Sequence, residues 1–131
     1  MRFLLDTDTC SYVIKKYPAT LRHFEGFKRK DVGMSVVTCA ELYYGAMRKP
    51  GKKYLEAVDI FTRYVAVLDW PRAAVKHYAA IRTQLEEKGE PIGELDMMIA
   101  AHALSLRVTL VTNNTGHFSR IAALALDNWY V

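Results

Sequence analysis

The chain has few of the residues that build disulfide or zinc sites, since only two cysteines, Cys10 and Cys39, occur among its 131 residues. They are too isolated for a zinc site and suit a reducing compartment as small buried hydrophobes. No apolar run approaches the roughly 18 residues that a membrane helix needs. The N-terminus lacks the basic segment and cleavage site of a signal peptide, because Asp6 comes too early. We therefore expect a cytoplasmic protein without a membrane span.

Repeats, low-complexity tracts and linkers are also missing, so we expect a single domain over residues 1–131. Hydrophobic residues make up 51% and charged residues 24% of the chain, which indicates a globular rather than a disordered protein. The formal net charge of +4 favours anionic partners. The positive charge is concentrated at residues 27–31 and 48–54, which both resemble loops.

Short apolar runs alternate with helical patterns along the chain. The runs predict strands at 2–5, 32–37, 65–70, 108–112 and, more briefly, 124–129. Helical spacing predicts helices at 9–16, 39–49, 53–64, 72–89 and 92–106, the fourth closed by Gly89. Because each strand is a continuous apolar run, we expect an α/β fold with three layers, α/β/α, around a mainly parallel sheet of four to five strands.

Three acidic residues are predicted at one edge of this sheet. Asp6 ends the first strand, Glu41 falls in the first turn of the helix after the second strand, and Asp96 in the first turn of the helix before the fourth. Asn114 follows the fourth strand. In right-handed crossovers, strand carboxyl ends and helix N-termini lie on the same edge. If the first strand is central and the fourth is its neighbour, these side chains converge.

Each acid has an ordinary structural alternative. Thr38 to Glu41 fits a capping box, Asp96 suits the helix dipole, and Asp6 can close a turn. Together, however, three carboxylates at one edge repel one another unless a cation or protons neutralise them. Mg²⁺ and Mn²⁺ are the cations that prefer ligands of oxygen alone. The cluster therefore favours a divalent metal site.

Four segments in this order resemble the PIN domain, and most closely the VapC-type toxins of bacterial type II toxin–antitoxin systems. They are FLLDTDTC (3–10), SVVTCAELYYGA (35–46), GEPIGELDMMIAAHAL (89–104) and LVTNNTGHFSRI (110–121). The resemblance covers essentially the whole chain. It implies a Mg²⁺- or Mn²⁺-dependent endoribonuclease that hydrolyses RNA phosphodiesters to inhibit translation, with tRNA as the substrate of comparable relatives.

The resemblance also implies roles for individual residues. It makes Asp6, Glu41 and Asp96 catalytic, with Asp6 and Asp96 as metal ligands. It gives supporting roles to Asp8, which we also expect to cap the next helix, and to Ser35, Thr38 and Asn114. Many PIN domains carry a fourth acid where Asn114 stands, which argues against a tightly bound second metal. The family further implies a homodimer and a VapB-type antitoxin that inserts an arginine among the carboxylates.

Basic and aromatic residues follow the helix that carries Glu41. We expect Arg48, Lys49, Lys52 and Lys53 to contact RNA phosphates. Tyr43, Tyr44 and Tyr54 could stack on bases or pack in the core, and residues 54–64 are a candidate dimer interface. Of the four histidines, His102 is expected to pack or to lie on the surface, whereas His117 lies in the loop near Asn114. Glu94, just before Asp96, is a further acid.

Two other classes of protein remain as alternatives. In a haloacid-dehalogenase-like phosphatase, the Asp6-x-Asp8-x-Thr9 segment would supply a nucleophile and an acid–base group. That class also needs a late acidic pair at a strand end, where this chain has only VTNN. A non-enzymatic flavodoxin-like or receiver-type module would use Asp6 but would leave Glu41 and Asp96 without a role.

Overall fold

Five short parallel strands form one sheet in the computed structural model, which describes residues 1–131. Their spatial order is β3-β2-β1-β4-β5. This order confirms that β1 is central and that β4 is its neighbour. The strands are β1 (Phe3–Leu5), β2 (Val32–Ser35), β3 (Ala66–Leu68), β4 (Thr109–Val111) and β5 (Leu126–Asp127).

Seven helices cover the two faces of the sheet, which confirms the three-layer α/β/α arrangement. None of them is long and apolar enough to cross a membrane. The helices are α1 (Thr7–Ile14), α2 (Pro18–Glu25), α3 (Val36–Met47), α4 (Lys53–Tyr64), α5 (Val75–Glu87), α6 (Glu94–Leu106) and α7 (Thr115–Phe118). Two 3₁₀ turns lie at Arg29–Asp31 and Arg72–Ala74.

Alternate residues of β1 enter two separate hydrophobic cores, because successive side chains of a strand point to opposite faces. Phe3 and Leu5 pack with residues of α1, α3 and α4 and with Trp129. Leu4 packs with α5 and α6, where alanines allow close approach of the helices to the sheet. β1 is therefore buried on both sides, as its continuous apolar run predicts.

The strand register sets the position of the polar residues that follow. Leu5 lies level with Met34 of β2 and with Val111 of β4. The next residue after β1 and after β4, Asp6 and Thr112, therefore leaves the sheet at the same edge, which we call the carboxyl edge. Both side chains are buried.

Two helices begin earlier than the sequence patterns predict, because polar side chains cap them. Asp6, not Asp8, is the N-cap of α1, and its carboxylate accepts a hydrogen bond from the Thr9 amide at 2.8 Å. Ser35 is the N-cap of α3 and accepts from the Val37 amide at 3.1 Å. The predictions that Asp8 caps the helix and that Thr38 to Glu41 forms a capping box are therefore wrong. Glu41 lies in the second turn of α3, not the first.

The short helix α7 has no counterpart among the predicted elements, and neither does α2. Its only sequence signal is Pro18 at the first helical position, where the missing amide hydrogen is not needed. Its N-cap, Tyr17, makes no capping bond, and Thr20 is its only buried residue. In contrast, the end of α5 is where the sequence predicts it, since Gly89 adopts a positive φ of 66°.

Candidate active site

The acidic side chains of β1, α1, α3 and α6 meet in one pocket at the carboxyl edge. The pocket has a volume of about 210 Å³. Strand β4 contributes through the loop that follows it. The structure thus brings together the acids that the sequence places at this edge. The lining residues are Asp6, Thr7, Asp8, Glu41, Asp96, Asn114 and Phe118.

Asp6 is the most buried of these acids, with 5% of its surface exposed. Burial raises the pKa of its carboxyl from 3.8 to about 6, and the charge of Asp8 adds to this effect. Hydrogen bonds from Thr112 and Thr9 act in the opposite direction. Asp6 therefore ends β1, caps α1 and carries a charge that its surroundings do not fully compensate.

Asp96 and Glu41 approach the pocket from two helices. Asp96 lies in the first turn of α6 and is half-buried. Burial raises the pKa of its carboxyl, and the charges of Glu41 and Asp8 raise it further, whereas His117 lowers it. The hydroxyl of Thr7 donates a hydrogen bond to Glu41 Oε1 at 2.5 Å. The carboxylates thus interact with one another across the pocket.

Asn114 supplies the amide wall of the pocket. Its backbone amide donates to the Thr112 hydroxyl at 2.9 Å, and its side-chain Nδ2 lies 2.9 Å from Nδ1 of His117. His117 is itself exposed and does not line the pocket. The two residues form a polar border between the carboxylates and solvent.

No lysine or arginine lines this pocket, and none of the salt bridges of the chain involves its carboxylates. The donor set consists of carboxylate, hydroxyl and amide oxygens, which are the ligands of Mg²⁺ and Mn²⁺. As the side chains stand, they do not form a group of three or more that could hold a metal ion. Asp6 is engaged with Thr9, and Glu41 with Thr7. The residues therefore fit a hard divalent cation by the chemistry of their donor atoms.

Four further residues considered from the sequence do not line the pocket. Ser35 is buried as the cap of α3, and Thr38 is buried with no partner for its hydroxyl. Glu94 forms an ion pair with Arg82 at 3.3 Å on the surface. His102 is buried in α6, where burial lowers the pKa of its imidazole, so it packs rather than lying on the surface.

The basic residues that follow α3 divide into two groups. Lys49 and Lys53 line a groove of about 460 Å³ beside α1, together with Lys15 and Tyr54. The Lys49 ammonium lies over the Tyr54 ring at 4.6 Å. Arg48 and Lys52 do not line this groove, and Arg48 lies 5.4 Å above the ring of Tyr44 instead.

Three residues at the site are not predicted from the sequence: Thr7, Thr112 and Phe118. Thr7 orients Glu41, and Thr112 hydrogen-bonds Asp6. Both threonines lie in the polar segments that follow β1 and β4, so the rule that strand ends share an edge could have identified them. Phe118 belongs to the short helix α7, for which the sequence offers no helical period.

The chain lacks the third conserved residue of the phosphatase motif. An Asp-x-Asp-x-Thr motif that begins at Asp6 requires threonine at position 10, where Cys10 stands. The hydroxyl of Thr9 is buried and donates to the carbonyl of Val111 at 3.1 Å, away from the pocket. Glu41 and Asp96, which neither that class nor a receiver-type module uses, line the pocket beside Asp6.

Comparison with known proteins gives a consistent family. Residues 3–124 match the PIN domain. The chain is 37% identical over 130 residues to the tRNA(fMet)-specific endonuclease VapC of Shigella flexneri, covering 98% of both chains. It is 37% identical over 132 residues to ribonuclease VapC2 of Rickettsia felis, again with 98% of both covered. The crystal structure of VapBC2 from Rickettsia felis, bound to a promoter DNA fragment, matches with a TM-score of 0.90 and 36% identity, covering 98% of this chain and 99% of that one.

Proposed function

We propose, since this chain belongs to the PIN-domain family and is an endoribonuclease toxin of the VapC type, that the acidic pocket holds a divalent cation and cuts RNA there. The observation that carries the proposal is the pocket itself. Four acidic residues line it, Asp6 is almost fully buried, and no basic side chain balances their charge. A site built only for stability would not be left in that state.

Asp6 and Asp96 would hold Mg²⁺ or Mn²⁺, with Glu41 as the third catalytic carboxylate. When bound, such a cation lowers the pKa of a water molecule and neutralises charge on a phosphate. The protein's own contribution is to fix the carboxylates. The Thr9 amide orients Asp6, and the Thr7 hydroxyl orients Glu41. Asp8 and Asn114 line the pocket, and Ser35, which caps α3, and the buried Thr38 would have supporting roles at the start of that helix.

The reaction is hydrolysis of a phosphodiester. A water oxygen bonds to phosphorus, the bond from phosphorus to the 3′-oxygen breaks, and the proton lost by water balances the one gained by that oxygen. The products are a 5′-phosphate and a 3′-hydroxyl. The 2′-hydroxyl is not needed as a nucleophile, which agrees with the lack of a histidine pair in the pocket.

The substrate and the partner follow from the relatives. The Shigella relative is specific for tRNA(fMet), so a tRNA is the substrate that we propose for this chain. The Rickettsia structure contains VapB with VapC, so we propose a VapB-type antitoxin as a partner. We further propose action in the cytoplasm, and a homodimer that uses α4, where Ile60 and Tyr64 are 62% and 50% exposed.

RNA phosphates would contact the basic residues that follow α3. Lys49 and Lys53 share their groove with Lys15 on α1, the same helix that begins at Asp6. The groove therefore lies at the C-terminal end of α1, and the acidic pocket lies at its N-terminal end. Arg48 and Lys52 lie on the same connection and add positive charge around it.

Cleavage of total tRNA by the purified protein tests the proposal. We expect discrete cuts with Mg²⁺ or Mn²⁺, no cuts in EDTA, and 5′-phosphate ends on the products. Asp6→Asn should remove the cuts. Asp69→Asn is the matched control, because Asp69 is an exposed acid that follows β3 at the same edge but lies outside the pocket.

Two results would contradict the proposal. Cuts that persist in EDTA would exclude a divalent cation. Intact RNA together with hydrolysis of a generic phosphomonoester would return the phosphatase alternative and would remove the catalytic roles of Glu41 and Asp96.

A further inference from the structure

Three tyrosines form a partly exposed cluster where α1 meets the end of the chain. The rings of Tyr12 and Tyr17 stack with centroids 4.8 Å apart and planes at 13°. Tyr130 lies against both rings, at 5.0 Å from Tyr12 and 6.1 Å from Tyr17. Tyr17 is 37% and Tyr130 45% exposed. The three rings thus present an ordered aromatic surface to solvent, which we call the tyrosine cluster.

The cluster adjoins the acidic pocket. Tyr12 lies four residues after Asp8 on α1, so the two side chains share one face of that helix. Burial raises the pKa of the Tyr12 hydroxyl, Asn113, which precedes the pocket residue Asn114, lowers it, and the charge of Asp8 raises it. The pocket and the cluster are therefore neighbours along α1.

Polar side chains hold the end of the chain in place beside the pocket. Asn128 donates from Nδ2 to Asn113 Oδ1 at 3.1 Å, and its Oδ1 accepts from the Tyr130 amide at 2.8 Å. Trp129 between them is fully buried. Tyr130 is thus presented on a fixed backbone, although its own ring is partly in solvent.

A packing role does not account for this exposure. Tyr43, by comparison, donates its hydroxyl to Asp59 at 2.5 Å and joins α3 to α4. Tyr17 and Tyr130 leave much of their apolar ring surface in water, next to a site that binds RNA in the proposed function. The aromatic rings carry no charge, so they do not compete with the carboxylates for a cation.

We propose that the tyrosine cluster is a stacking surface for an unpaired base of the RNA next to the bond that is cut. The inference rests on the proposed function and adds to it that the RNA is unpaired next to the bond that is cut. A base must leave its helix to stack, so this surface selects loops and single strands over duplex RNA. The basic groove and the cluster flank α1, because Ser11 contacts Tyr54 (3.4 Å) and the adjacent Tyr12 contacts Tyr130. Phosphates are held on one side and bases on the other.

Binding of two RNA-like probes to the Asp6→Asn protein tests this inference without cleavage. One probe is a fluorescein-labelled 12-nucleotide oligo(A), and the other is a labelled 12-unit chain of sugar phosphates without bases. Tyr17→Leu and Tyr130→Leu remove the aromatic face and keep an apolar side chain. We expect each to weaken oligo(A) binding by about 5- to 100-fold, as for removal of one stacked base, and to leave the base-free probe unaffected.

Two sets of matched variants make the result specific. Tyr17→Phe and Tyr130→Phe keep the ring and should bind oligo(A) as tightly as the parent. Tyr78→Leu changes a partly buried tyrosine on α5, on the opposite face of the sheet from α1, and should have no effect. Melting temperatures of all variants establish that they are folded.

Each remaining outcome overturns the inference. Unchanged oligo(A) affinity in the leucine variants excludes stacking. An equal loss for both probes means that the tyrosines act on the backbone contacts or the fold. Cleavage of tRNA by the parent with Asp6, measured in parallel, separates the two failures, because cleavage with unchanged affinities removes the tyrosine cluster alone, whereas absent cleavage removes the function on which it rests.

Discussion

Two cavities at opposite edges of the sheet differ in how their charges are satisfied. The cavity at the amino ends of β2 and β3 has a volume of about 260 Å³. Its arginine, Arg29, donates to the carbonyls of Tyr64 at 2.5 Å and Arg63 at 2.7 Å, and lies 4.6 Å from the Tyr64 ring centroid. The acidic pocket at the carboxyl edge is smaller, at about 210 Å³, and no basic side chain lines it.

The two cavities are similar in size and differ in whether their charges have partners. At the amino edge, two carbonyls and an aromatic ring bind the Arg29 guanidinium. Arg29 thus connects α4 to the segment before β2. At the carboxyl edge, the pKa values of Asp6 and Asp96 are both raised. The carboxylates repel one another and are partly buried, and a bound cation would relieve both costs.

The largest expected effect is on the rate of tRNA cleavage, which should depend on the carboxyl edge and not on the amino edge. Glu41→Gln and Asp96→Asn should each lower the initial rate of tRNA cleavage by at least about 100-fold at fixed Mg²⁺, because each removes a charge from the catalytic set. Arg29→Ala should leave the rate per folded molecule unchanged. Rates measured on the same tRNA preparation check both expectations. A large loss of rate in Arg29→Ala with a normal fold would remove the distinction between the two edges.

The second effect concerns stability at the acidic pocket. In EDTA at pH 7, Asp6→Asn should raise the free energy of unfolding by about 1–3 kcal/mol, because it removes a buried charge and keeps a side chain that caps helices well. The folded-state pKa of about 6 lies above the ordinary 3.8. The charged form is therefore unfavourable above pH 6, and the difference should shrink as the pH falls from 6 towards 4.

Urea unfolding at several pH values measures this difference, and Asp69→Asn is the control. Asp69 is exposed, so its substitution should change stability by no more than about 0.5 kcal/mol. Added Mg²⁺ should then stabilise the parent protein and not the Asp6→Asn variant. A less stable Asp6→Asn protein in EDTA would mean that the hydrogen bond to Thr9 outweighs the buried charge.

The third expected effect is a loss of stability at the amino edge, the opposite of the gain expected for Asp6→Asn. Arg29→Ala should lower the free energy of unfolding by about 1–2 kcal/mol, because it removes charge-assisted hydrogen bonds to two carbonyls and an interaction with an aromatic ring. Arg72→Ala, a change at another exposed arginine, should have little effect. Thermal or urea unfolding of the three proteins checks the order. Equal stability of all three would show that the Arg29 interactions are not maintained in solution.

The same comparison explains how much of the fold the sequence could predict. Apolar runs locate β1 and β4, because a strand that is largely buried on both faces has few polar positions. The sequence patterns miss the start of α3 because Val36 and Val37 favour strands by side chain alone. The cap at Ser35 overrides that preference, since its hydroxyl bonds the Val37 amide.

The sequence predicts the acidic residues of the site but not the residues that orient them. Asp6, Glu41 and Asp96 can be placed at one edge from strand and helix order alone. The orientation of Glu41 depends on Thr7, a hydrogen bond across 34 residues that no local pattern contains. The sequence misses the tyrosine cluster for the same reason, because Tyr130 contacts Tyr12 only after the chain has passed β5. Long-range contacts between irregular segments are the part that sequence periodicity does not encode.

The smallest expected effect compares equal positive charge in the groove beside α1 and at the amino edge. Lys49→Ala combined with Lys53→Ala should weaken binding of the Asp6→Asn protein to oligo(A) by about 3- to 10-fold. The double change should also reduce the slope of log affinity against log salt by about 1.4, which is about 0.7 for each lysine that no longer neutralises a phosphate. Lys28→Ala with Lys30→Ala removes the same net charge at the amino edge, and fluorescence anisotropy at several salt concentrations distinguishes the two pairs.

Either result decides where the RNA backbone runs. If both pairs weaken binding equally, only the net charge of the protein matters, and the groove beside α1 is not a path for RNA. If only the first pair does, the phosphates run through the groove beside α1, the helix that Asp6 caps at its other end.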